Sequence, residues 1–195
     1  MKQWIRVIMV LMFIGWLQQL CVSQYHYSLI ISDAGSGIDT LEFGYSHGAT
    51  YCIDPELGEY GLPPPPPADE FDVRFIDNRS GAGACLDQGI NKNFYGFNIS
   101  GAKDTFRVAF QTDWRLHPFT VRWSGPFDYL SSASLKYTHP DDGPVIIDML
   151  SYNSCQIPLG SPDIPSFRII VNHNIICCND PPPVLSQSRT DSITE

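Results

Sequence analysis

Between residues 24 and 178 apolar and polar side chains alternate in short runs, each bounded by Gly, Pro, Asp or Ser. A period of two is the mark of a strand with one buried face. The segment YHYSLIIS (25–32) is rich in aromatic and β-branched residues and predicts a first strand. DAGSGID (33–39) follows as a turn, with Asp33 placed to close an Asx-turn and Gly35 and Gly37 expected to supply positive φ. TLEFGY (40–45) sets Leu41, Phe43 and Tyr45 on one face and pairs with the first strand as a hairpin. Residues 46–60 read as loop.

Five consecutive prolines, 63–67, fix φ and remove five backbone donors, so that segment is neither helix nor central strand. They form a stiff strut leading into FDVRFI (71–76), which again alternates, and the strut is expected to thread between the strands. Further strands are predicted at 94–99, 105–110, 119–123, 134–138, 145–150 and 167–171, with Phe106, Val108 and Phe110, and then Phe119, Val121 and Trp123, pointing inward. Strands spaced at roughly 8 to 15 residues with turn residues between them predict a single-domain, all-β antiparallel sandwich, immunoglobulin-like or jelly-roll-like. No window carries a helical period.

The first 23 residues differ from all this. Lys2 and Arg6 precede an apolar run over 7–17, which ends in Cys21 and Ser23. That order describes a secretory signal peptide cleaved after Ser23, and the run is shorter than the roughly 20 residues that span a bilayer. The mature chain is expected to be secreted, extracellular or at the cell surface, with the periplasm as the other exported location and no membrane span after cleavage. Residues 24–178 form the sandwich domain, and 179–195, polar and opened by three prolines, form a linker or disordered tail.

The formal charge of −9 becomes −11 when Lys2 and Arg6 leave with the signal peptide. An acidic chain is a poor partner for nucleic acid, whose phosphates require clustered cations. Cys52, Cys85, Cys155, Cys177 and Cys178 remain, enough for two disulfides and one free thiol in an oxidising compartment, with the pairing left open. Their spacing matches no zinc pattern.

Acids gather at Asp33, Asp39, Asp54, Glu56, Glu59, Asp69, Glu70 and Asp72, but in no calcium-loop spacing, and solvated turn acids explain them. No metal or other cofactor is expected. No nucleophile elbow, metalloprotease helix or phosphate-cradling loop occurs, and no catalytic residue is assigned. A secreted hydrolase would need two carboxylates, or a Cys and a His, meeting across a cleft. The candidate ligand-binding residues are aromatic: Trp114, in the loop 112–118, with Tyr51 and Tyr60, since sugar rings pack on flat side chains. Trp123, on an alternating strand, is expected in the core.

The segments LEFG (41–44), AT (49–50), ID (53–54), LGE (57–59), LPPPPP (62–67) and FDVRF (71–75) together resemble an N-terminal β-rich module of secreted bacterial proteins. That module is often found ahead of type IX secretion sorting domains. FTVRW (119–123), IDML (147–150) and SFRIIV (166–171) resemble its later strands. The resemblance covers most of the mature chain and implies a surface or extracellular sandwich with an adhesion or matrix role. Its partner would be a cell-surface or matrix protein or a polysaccharide. It implies no catalytic residues. Tyr51 and Cys52 stand where the module usually has a small polar or acidic residue and then Gly.

Overall fold

The computed structural model describes residues 24–79, 83–96, 103–158 and 166–173, without the side chain of Trp114. The expected signal peptide and C-terminal tail lie outside them. The described residues form ten strands: β1 Gln24–Ser32, β2 Ile38–Ser46, β3 Asp72–Ile76, β4 Lys92–Tyr95, β5 Lys103–Gln111, β6 Phe119–Ser124, β7 Leu130–His139, β8 Gly143–Asp148, β9 Ser154–Ile157 and β10 Ser166–His173. They make two five-stranded sheets, ordered β4-β2-β1-β6-β9 and β3-β5-β10-β7-β8. Every pairing is antiparallel except β2 with β4, which is parallel.

The alternation determines what meets in the middle. Leu41, Phe43 and Tyr45 of β2 and Leu29 and Ile31 of β1 are wholly buried, and so are Phe75, Phe106 and Val108 of the other sheet. Phe43 lies 5.0 Å from Phe106 between ring centroids, and Phe110 lies 4.6 Å from Phe119, so rings from the two sheets interdigitate. Trp123 is in this core, and its indole N–H donates to the carbonyls of Met149 (2.9 Å) and Tyr152 (2.8 Å). The predicted hairpin forms as β1 and β2, from Gln24 opposite Ser46 to Ser32 opposite Ile38.

Three strand placements differ from the sequence reading. Of the strand placed at 94–99, residues 97–99 lie outside the described residues, and the described strand there is Lys92–Tyr95, with Phe94 buried. The strand placed at 145–150 ends at Asp148, because the chain turns there and the Met149 N–H donates to the Ala133 carbonyl. β9 is not among the predicted strands: its alternation, Ser-Cys-Gln-Ile, runs for only four residues with one fully buried side chain, Ile157.

Gly35 and Gly37 have no positive φ. The Asx-turn does form, with Asp33 Oδ1 accepting from the N–H groups of Gly35 (2.8 Å) and Gly37 (2.9 Å). What Gly37 supplies is room, since a Cβ there would fall 2.4 Å from Phe71 Cδ2. The glycine that needs unusual backbone is Gly44, inside β2, at φ +155° with the Tyr25 carbonyl pressed against it.

The proline strut lies along the outside of the sandwich and does not thread through it. Residues 63–67 are exposed except for half-buried Pro66, and the strut is held by its carbonyls, the groups that proline retains. Arg74 Nη1 donates to Pro63 O (2.7 Å), and Gln111 Nε2 donates to Pro66 O (3.0 Å) and Pro67 O (2.9 Å). The strut is thereby held by outward-facing side chains of β3 and β5, Ile90 bridges to Phe75 at the β3 edge, and the inward residues Val73 and Phe75 are dry.

Candidate functional site

The best-defined feature outside the core is a pair of loops at the Ser46 end of β2. Cys52, in the first loop, and Cys85, in the second, form a disulfide across 33 residues of chain. Asp77 supports the second loop: its carboxylate accepts from Cys85 N (2.7 Å), Arg79 N (2.8 Å) and Arg79 Nε (2.9 Å). Burial pushes this carboxyl up, but the bonds from Arg79 and from the Cys85 and Arg79 N–H groups outweigh it and hold the pKa near 2. Arg79 then crosses to the first loop, where Nη2 donates to the Tyr51 carbonyl at 2.6 Å.

The first loop is closed from within by two acids. Asp54 accepts from the Thr50 N–H (2.6 Å) and from its hydroxyl (3.1 Å). Glu59 is fully buried, and its Oε2 accepts from Asp54 N (2.8 Å) while its Oε1 accepts from Phe94 N (2.5 Å). β4 is an edge strand, so Glu59 takes up a donor that would otherwise point away from any ladder. Burial raises the Glu59 pKa to about 7; the two N–H bonds pull the other way, and the Asp54 charge adds to the rise.

The three aromatic candidates are placed apart. Tyr51 is 47% exposed, with its ring edge-on to Tyr95 at 4.8 Å and the Arg79 guanidinium 6.0 Å from its centroid. Tyr60 is 62% exposed at the end of the same loop. Trp114 starts a 3₁₀ turn, Trp114–Leu116, capped by Asp113. That turn is joined to the β1–β2 connection, where Ala34 N donates to Leu116 O. Trp114 thus belongs to the opposite end of β2 from Tyr51, and nine residues of strand separate the two ends by roughly 30 Å.

A second polar group was not singled out from the sequence. The Tyr45 hydroxyl donates to Asp104 Oδ2 at 2.9 Å, and His173 Nε2 stands 3.5 Å from the same oxygen, all three residues being buried. The His173 and Tyr45 rings meet at 4.5 Å. Burial, the Asp104 charge and the hydrogen bond together raise the tyrosine pKa far above its usual value. These side chains join β2, β5 and β10 through one carboxylate oxygen in a dry interior, which penalises slippage of one sheet on the other. The signal was available: Asp104 shares an inward face with Phe106 and Val108, and His173 shares one with Ile169 and Val171.

Cys155 is a free thiol on β9, half-buried, with its pKa pushed up to about 11 by burial. Among the described residues no three or more His, Cys, Asp or Glu side chains are grouped to hold a metal ion. No helix among them is long and apolar enough to cross a membrane. No family model matches the sequence, and neither a curated protein nor a solved structure matches it.

Proposed function

We propose that this chain is an exported, non-catalytic β-sandwich module with a structural or interaction role at the cell surface or outside the cell. The observation that carries the reading is the Cys52–Cys85 disulfide, reinforced by Asp77 and Arg79. Disulfides persist in oxidising compartments, and this one cross-links two surface segments 33 residues apart. A cross-linked surface loses less entropy on meeting a partner than a free one does. The resemblance to the β-rich module of secreted bacterial proteins supports the same reading. The test is the protein recovered from the growth medium: its N-terminus should be Gln24, and one cystine should join residues 52 and 85. Protein found only inside the cell, with both thiols free, would overturn the reading.

A second reading, a carbohydrate-binding module, is favoured by Tyr60, which is 62% exposed at the end of the braced loop. Tyr60→Ala should then weaken retention on cell-surface polysaccharide without changing thermal stability. Unchanged retention would remove Tyr60 from that role.

A further inference from the structure

The cations of the described residues fall into two groups. Arg74, Arg79, Arg115 and Lys92 are ion-paired, with Asp72, Asp77, Asp113 and Glu42 respectively. Lys103, Arg107, Lys136, Arg168 and Arg122 are in no ion pair among the described residues. Four of these five share one surface, the outward face of the sheet ordered β3-β5-β10-β7-β8. Their strand neighbours Phe106, Val108, Leu135, Tyr137, Phe167 and Ile169 point the other way, into the core.

Three of the four stand in a single row. Arg168 of β10 lies directly opposite Arg107 of β5 on one side and Lys136 of β7 on the other. The row continues to Ile76 of β3 at one end and to Ile146 of β8, 61% exposed, at the other. Like charges directly opposite on one face of a sheet are destabilising. Edge protection does not explain them, since β5, β10 and β7 are the three inner strands. Arg107 donates to the Ser166 hydroxyl at 3.2 Å, a neutral partner. In the next row stands Asp148, which already accepts from Leu150 N (2.9 Å) and the Ser151 hydroxyl (2.7 Å).

We propose that this row is a docking surface for a linear polysaccharide that carries carboxylates. Guanidinium groups match carboxylates through paired N–H donors, and two of the three cations are arginines. Neighbouring strands lie about 4.8 Å apart, so the row from Arg107 to Lys136 spans about 10 Å. The spacing of about 4.8 Å between neighbours in the row is close to the length of one sugar unit along a glycan. The isoleucines at both ends suit the apolar C–H faces of sugar rings. The chain as a whole is acidic, at −9, but charges beyond about 8 Å are screened at physiological salt, and contacts within the row are not. Duplex nucleic acid needs more phosphate contacts than three cations supply.

The inference rests on the reading of the chain as an exported interaction module, yet the two fail separately. Binding is measured on purified folded protein, whereas export is read from the mature N-terminus. Polygalacturonate is the probe, titrated at about 0.15 M salt and again at about 1 M. Binding should be saturable at the lower salt, lost at the higher, and not competed by neutral dextran. Replacing Arg107, Arg168 and Lys136 together by Gln should weaken it at least about fivefold, as expected for three exposed ion contacts. The unfolding midpoint should not fall. Should the triple variant fold poorly, Arg168→Gln alone, at the exposed centre of the row, should weaken binding in the same direction.

Arg122→Gln, on the outer face of the other sheet, should leave binding unchanged. Absence of binding, equal loss with Arg122→Gln, or full affinity in the Gln variants would overturn the proposal. Equal, row-dependent binding of duplex DNA or anionic vesicles would overturn the polysaccharide assignment. A self-associated species that the triple variant breaks up, without glycan binding, would assign the row to a second copy of the chain.

Discussion

The two edges of the second sheet are built on opposite plans. At β3 the edge is covered: Arg74, 3% exposed, donates to both oxygens of Asp72 (2.6 and 2.7 Å), to Pro63 O and to Gln88 O, while Ile90 bridges to Phe75. At β8 no further strand pairs with the edge among the described residues. Its residues alternate half-buried and exposed, and Ile146, Leu150 and Tyr152 show large apolar surface nearby. Only Pro144, which has no N–H to offer, interrupts the free backbone there. One edge therefore contributes to stability, and the other leaves β7 and its cationic neighbours accessible.

The contrast is broken most directly at Arg74. Arg74→Met removes a buried charge, strands the Asp72 carboxylate and leaves two carbonyls without their donor. The loss should be about 3 kcal/mol by urea unfolding. Arg168→Ala, on the same sheet, should stay within about 0.5 kcal/mol. Equal effects would show that the β3 edge is not specially braced. Next in size is the loop pair that backs the covered edge. Cys52→Ala with Cys85→Ala releases a 33-residue closure and should cost about 3 kcal/mol or somewhat less, read from the shift in thermal midpoint under oxidising conditions.

The third effect depends on pH. The folded Glu59 carboxyl has a pKa raised to about 7, so the folded state holds its proton more tightly than the unfolded chain does. Stability should therefore fall as pH rises from about 4.5 to about 7, and Glu59→Gln should flatten that slope in this window. Asp77 acts with the opposite sign and lower down: its folded pKa of about 2 gives stability that is lost as pH falls from about 4 towards 2. A wild-type slope retained by Glu59→Gln would place the titration elsewhere. The smallest effects lie at the surfaces of the two edges. Pro65→Gly should lower stability by roughly 0.5 to 1 kcal/mol through the unfolded chain. Ile146→Lys, on the β8 edge, should change stability by less than about 0.5 kcal/mol while reducing aggregation on heating.

Much of this was legible in the order of residues, because the pleat of a strand imposes its period locally. Val73 and Phe75, or Phe106, Val108 and Phe110, announce a buried face without reference to any other part of the chain. The Asp33 turn was legible for the same reason, since its donors lie within four residues. Glu59 was less so: among the turn acids it looks like Asp69 or Glu70, and only the N–H of Phe94, 35 residues on, sets it apart. The aromatic candidates show the same limit. Nothing near Tyr51 in sequence reveals that Arg79 and Tyr95 hold its ring, or that Trp114 belongs to the other end of β2.

What the chain determined by itself was which segments extend, which of their faces turn inward, and that the fold is a sandwich of sheets, because these follow from side-chain alternation and backbone restriction over a few residues. The tertiary structure alone decided that Cys52 meets Cys85, that β4 runs parallel to β2, and that Arg107, Lys136 and Arg168 stand side by side. Those outcomes depend on register between strands distant in sequence. A slip of one residue would turn each side chain to the other face without altering the local pattern that predicts the strand.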